Sequence, residues 1–136
     1  MLNIMVEHET ARVPVAVMKL VGELDASTYQ DVIARAAELV EQGTGHILFD
    51  LGELTYMGSS GLFAIHSVAM MLRGETPPDP EDGWGAIHRL EPRGSEMVAE
   101  LKLLNPLVQV DRVLDRTGLK RYFETHNNRQ TALAAF

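Results

Sequence analysis

The apolar positions of this chain change period as the sequence advances. Residues 1–6 and 13–21 read as strands: the second, with Val13, Val15, Val17 and Leu20, is apolar enough to be buried, ends at Gly22, and takes the first as its partner across a turn near 9–12. Val32, Ile33, Ala36, Ala37, Leu39 and Val40 then recur at helical spacing, with Asp25 or Ser27 as the cap and Gly43 and Gly45 as the stop. His46, Ile47, Leu48, Phe49, Asp50 and Leu51 form the next strand. After a short turn a helix opens at Ser59 or Ser60, shows Leu62, Phe63, Ile65, Val68, Ala69 and Leu72 on its apolar positions, and ends at Gly74.

From Glu75 to Ser95 the pattern has neither period. Pro77, Pro78 and Pro80 stand among Asp79, Glu81 and Asp82, the composition of a surface insertion. Within it residues 84–90, which include Trp84, form a short candidate strand bracketed by Gly83 and Pro92. Alternation returns over 97–104 as a strand, and Pro106 starts a helix with Leu107, Val110, Val113 and Leu114 on one side and Gly118 as its stop. Residues 119–123 read as a last short strand and 127–136 as a final helix or frayed tail. The alternation of strands and helices predicts an α/β sheet.

The Gly58-Ser59-Ser60-Gly61-Leu62 segment puts two serines at a helix mouth. A helix start leaves N–H groups unpaired and carries about half a positive charge, so an anion is stabilised there. Ser59 is thus either an N-cap, a role worth about 1 kcal/mol, or a phosphate acceptor. Ser60 reads as a cap or support.

Length fits one domain: 136 residues can enclose a core without staples, and 46% hydrophobic with 23% charged residues excludes wholesale disorder. With no cysteine, disulfides, thiol catalysis and thiolate zinc sites are excluded. The formal charge of −7 argues against nucleic-acid binding, and Arg112, Arg116, Lys120 and Arg121 alternate with Asp111, Asp115 and Glu124 as on a solvated helix face. Without an apolar leader or an 18-residue apolar run, the expected location is the cytoplasm, with no membrane contact.

Catalytic readings fare poorly. Glu23, Asp25 and Asp50 lack a phosphate-cradling glycine loop, and Gly58-Ser59-Ser60-Gly61 lacks the spacing of a hydrolase elbow. His8, His46, His66, His88 and His126 are scattered singly, so neither metal nor cofactor is expected. Met70 and Met71 read as core filler.

Several segments together resemble a STAS domain of the anti-sigma factor antagonist type. They are Leu20 through Thr28, the strand ending Phe49-Asp50-Leu51, the Ser59-Ser60-Gly61-Leu62 turn, and Leu103-Leu104-Asn105 running to Leu119. The resemblance covers nearly the whole chain outside the insertion. It implies a single domain over 1–136, an α/β fold with a small mixed sheet of about five strands and helices packed against it. It also implies a non-enzymatic protein whose Ser59 is phosphorylated by a partner anti-sigma factor with serine kinase activity. In that reading Asp25, Ser27, Thr28, Gly58, Ser59, Ser60 and Gly61 make the partner-binding rim. A phosphatase would restore the unmodified state, transcription would be regulated indirectly, and a homodimer is left open.

The chain departs from that pattern at Gly58, where the family usually has an acidic residue, and Gly58 also permits a positive φ. The insertion, with Trp84 as a candidate anchor or a cover for the sheet edge, is the second departure. Both favour an alternative: a STAS scaffold subunit that works without phosphorylation in a signalling or lipid-transport assembly. A small-ligand or nucleotide-binding domain is the third class, resting on the open helix mouth alone.

Overall fold

The computed structural model describes residues 1–76 and 97–136. Five strands, β1 (Leu2–Thr10), β2 (Pro14–Leu24), β3 (Ile47–Met57), β4 (Leu101–Leu104) and β5 (Thr125–His126), lie in the order β1-β2-β3-β4-β5. β1 runs antiparallel to β2, and every later pairing is parallel. The helices are α1 (Tyr29–Glu41), α2 (Ser59–Leu72), α3 (Val108–Arg116) and α4 (Arg129–Ala134). The expected mixed five-stranded α/β sheet is therefore present.

One sheet face carries Ala16, Met18, Leu20, Ile47, Phe49, Leu51, Leu101 and Leu103 into the main core, where Val32, Ala36 and Leu39 of α1, the apolar length of α2, and Val110 and Leu114 of α3 meet them. The other face is covered in part by α4, whose Ala132 and Leu133 pack on Val15, Val17, Leu48 and Leu104. Central strands buried on both faces explain the unbroken apolar runs of β2 and β3. Each fully buried Leu, Ile or Phe contributes about 1.5–3 kcal/mol relative to exposure, so these two layers hold the sheet. On β1, at the edge, Leu2, Ile4 and Val6 are half-buried while Asn3, Met5 and Glu7 face out.

Several boundaries differ from the sequence reading. β2 runs through Gly22 to Leu24: Gly22 takes φ +119°, and the register with β3 shifts on either side of it, so the glycine bends the strand without ending it. β3 likewise passes Leu51 and continues to Met57; the Asp50 carboxylate accepts the Gly52 N–H at 3.0 Å, a local irregularity inside a paired strand. Only 101–104 of the expected 97–104 strand pairs, because β3 starts at Ile47, the partner of Leu101. Residues 119–123 are not a strand. Gly118 at φ +80° turns the chain into a 3-10 turn, Leu119–Arg121, that buries Leu119 and leads to Phe123 in the core, and the strand follows at Thr125. The tail resolves as α4, capped by the Asn128 side chain on the Thr131 N–H at 3.1 Å. The expected strand at 84–90 and Trp84 lie outside the described residues.

Candidate functional site

β2 and β3 end side by side, with Leu24 paired to Met57, and the Gly58 N–H donates to the Leu24 carbonyl at 3.0 Å. The loops that follow, one into α1 and one into α2, are thereby brought to the same end of the sheet. Tyr29 and Phe63, near the starts of the two helices, meet edge to face with centroids 6.0 Å apart. Loop pairing and helix pairing together fix one two-loop surface.

Asp25 organises the first loop. Its Oδ1 accepts the Ser27 N–H at 2.9 Å and the Ser27 hydroxyl at 2.6 Å, while its own N–H donates to Thr28 Oγ1 at 3.0 Å. The Ser27 hydroxyl, then the Ser27 backbone N–H, hold the Asp25 carboxyl below the usual carboxylate range. Thr28 in turn donates to the Glu23 carbonyl at 2.9 Å. Asp25 thus caps a turn and not a helix: α1 starts at Tyr29 behind Thr28, with no side-chain cap bond, which corrects the assignment of Asp25 or Ser27 as its N-cap.

The second loop is built on backbone. Gly58 is the N-cap of α2 with φ −93°, extended geometry open to any residue, so the positive φ allowed by its glycine is not used. Its carbonyl accepts the Gly61 N–H at 3.0 Å. Ser59 is therefore the first helical residue and not the cap, and no side chain caps α2 at all. Ser59 is exposed, whereas Ser60 is 4% exposed. A Cβ on Gly61 would stand 2.7 Å from Met57 Cγ and 3.0 Å from Leu24 Cγ, so only glycine lets α2 seat this close to the strand ends.

Of the seven rim residues, Ser27 and Ser59 are exposed and Asp25 and Gly58 half-buried. Thr28, Ser60 and Gly61 are buried and shape the surface from beneath without presenting side chains to a partner. Sequence reasoning missed Tyr56. It is 52% exposed, and its phenol oxygen lies 3.2 Å, and Cε1 3.4 Å, from where a Cβ on Gly58 would be. An aromatic two residues before a glycine on a strand was the available signal, hidden because the strand was ended at Leu51.

Among the described residues no group of three or more His, Asp or Glu could hold a metal ion. No helix among them is long and apolar enough to cross a membrane. His66 lies inside α2 against Phe123, centroids 5.9 Å apart, and burial pushes its imidazole down to about 4, so it is a neutral core residue near pH 7.

The structure is a single small mixed sheet whose helix-start serine lies beside the loop that follows β2, and sequence comparison places it in a family. The family model for the STAS domain matches residues 5–75, more than half of the 136-residue chain, and the chain belongs to that family. The chain is 27% identical over 117 residues to a Bordetella bronchiseptica protein described as "Putative anti-sigma factor antagonist BtrV", covering 86% of this chain and 82% of that one. In fold it is similar to the unphosphorylated form of the anti-sigma factor antagonist SpoIIAA, with TM-score 0.67, 22% identity, and coverage of 96% and 93%. The phosphorylated form of the Bacillus cell fate determinant SpoIIAA follows at TM-score 0.60, 20% identity, and 96% of each chain.

Proposed function

We propose that this chain is an anti-sigma factor antagonist: it binds an anti-sigma factor with serine kinase activity through the two-loop surface, and phosphorylation of Ser59 ends that binding. Transcription is then regulated indirectly, by a cytoplasmic protein that catalyses nothing itself and is reset by a phosphatase. The descriptions of BtrV and SpoIIAA support the partner class. One observation carries the choice of residue: of two adjacent serines, Ser59 is exposed on the first turn of α2 and Ser60 is enclosed.

A phosphate adds about −1.5 to −2 charges. At the start of α2 that charge meets unpaired N–H groups and the positive end of the helix, so the free domain tolerates it. In an interface the same charge must be desolvated, which costs several kcal/mol unless it is paired. Binding is lost while the fold stays intact.

The test pairs the chain with its cognate anti-sigma kinase and ATP and maps phosphate by mass spectrometry. Phosphate is expected on Ser59 and absent from the Ser59→Ala variant. Ser59→Asp is expected to weaken capture at least tenfold. Gly58 favours a second reading, a scaffold in a signalling or lipid-transport assembly that never uses the phosphate. Unchanged partner affinity in Ser59→Asp, with no phosphate on the native chain, would establish that reading instead.

A further inference from the structure

We propose that the Tyr56 phenol is the group that receives the phosphate on Ser59. This rests on the assignment of Ser59 as the acceptor. Tyr56 stands on the last turn-proximal stretch of β3, half exposed, with its hydroxyl 3.2 Å from the Cβ position of residue 58. Ser59 follows at one Cα step, about 3.8 Å, and is itself exposed. The phenol therefore sits over the neighbouring residue of the serine whose oxygens would carry the ester.

The chemistry matches. A phosphate dianion offers three strong acceptors, and a phenol O–H is a neutral donor that adds no positive charge to the unmodified surface. Gly58 places no side chain of its own, neither bulk nor a carboxylate, in the space beside the phenol. Of the acidic groups nearby, the Asp25 carboxylate is held by Ser27, and Glu23, the register partner of Tyr56 on β2, stands beside the ring and brings negative charge but no donor. In the unmodified protein the same exposed ring is free to face the partner. Phosphorylation then acts twice, adding charge and drawing the ring onto the phosphate.

Full-length protein carrying phosphoserine at position 59, installed during translation, tests this without any kinase. The second ionisation of the phosphate is followed by phosphorus NMR in the native background and in Tyr56→Phe, an exposed substitution that keeps the ring. A donor that favours the dianion lowers that midpoint, so it is expected about half a pH unit higher in Tyr56→Phe. Glu23 and Asp25 act alike in both proteins and cancel in the difference. Tyr122→Phe, the control for removing a phenol elsewhere, is expected to titrate like the native background. Coincident midpoints in the native and Tyr56→Phe proteins would overturn the proposal. A kinase that never labels Ser59 would instead overturn the function reading, and leaves this measurement unaffected.

Discussion

The phenol oxygen of Tyr56 lies 3.2 Å from the point where a side chain on Gly58 would begin, so the ring occupies the space that an acidic residue would claim there. Gly58 has φ −93°, a geometry that aspartate adopts without strain. Gly58→Asp therefore moves the far end of a flexible ring and not the backbone. Its carboxylate gains a cap on α2, worth a few tenths of a kcal/mol over glycine. A thermal melt is expected to rise by about 2 °C. A lower melting temperature would mean that the ring is held more firmly than its exposure implies.

Gly61 is the opposite case. A Cβ there meets Met57 Cγ at 2.7 Å, Leu24 Cγ at 3.0 Å and Leu24 Cδ2 at 3.1 Å, all on buried side chains at the paired ends of β3 and β2. Overpacking of this kind costs about 1–3 kcal/mol, and the better helix propensity of alanine returns up to about 1 kcal/mol. Gly61→Ala is expected to lose about 1–2 kcal/mol in urea unfolding. Because the strain falls on the two strand ends that carry the loops, partner capture is expected to weaken with it.

The periods of the apolar residues were enough to read α1, α2, α3 and the central strands, because burial dictates those periods directly. What escaped the reading was set by pairing. Whether Gly22 or Gly52 ends a strand depends on a neighbouring strand continuing past it, and whether 97–100 join a ladder depends on where β3 begins. The site followed the same division. The helix mouth at Ser59 was legible because glycine and serine cluster before an apolar run. Burial of Thr28 and Ser60 was not, since it arises from loops meeting at the Gly58 to Leu24 hydrogen bond.

Lys102 offers a prediction about the sheet's second face. It is 1% exposed on β4, its ammonium 2.5 Å from the Glu124 carboxylate and 5.1 Å from the Phe136 ring centroid. The Lys102 hydrogen bond holds the Glu124 carboxyl below the usual glutamate range, so this pair contributes stability above that range and loses it as pH falls through the lowered value. Lys102→Met removes the buried charge and keeps the volume, and is expected to change stability by less than about 1 kcal/mol. Glu124→Ala strands the cation, so it is expected to cost more than Lys102→Met. Chemical denaturation of the two variants at pH 7 reads the contrast, and equal losses would contradict it.

His66 makes the stability of α2 depend on pH. Burial holds its imidazole at about 4 in the folded protein, against an ordinary value near 6.5 once unfolded. Above pH 6.5 both states are neutral and the residue is indifferent to pH. Between 6.5 and 4 the unfolded chain takes up the proton first, so folding loses up to about 3 kcal/mol as pH falls, and below 4 this contribution levels off. Carboxylates titrate near the lower end of the same window, so the difference between native protein and His66→Leu isolates the imidazole. Unfolding free energies of the two proteins are expected to run parallel from pH 7 to 8 and to diverge as the pH is lowered from 6.5 to 4, the leucine variant falling less. Parallel curves down to pH 4 would mean that the imidazole is charged inside the fold, which requires an acceptor on the α2 face beside Phe123.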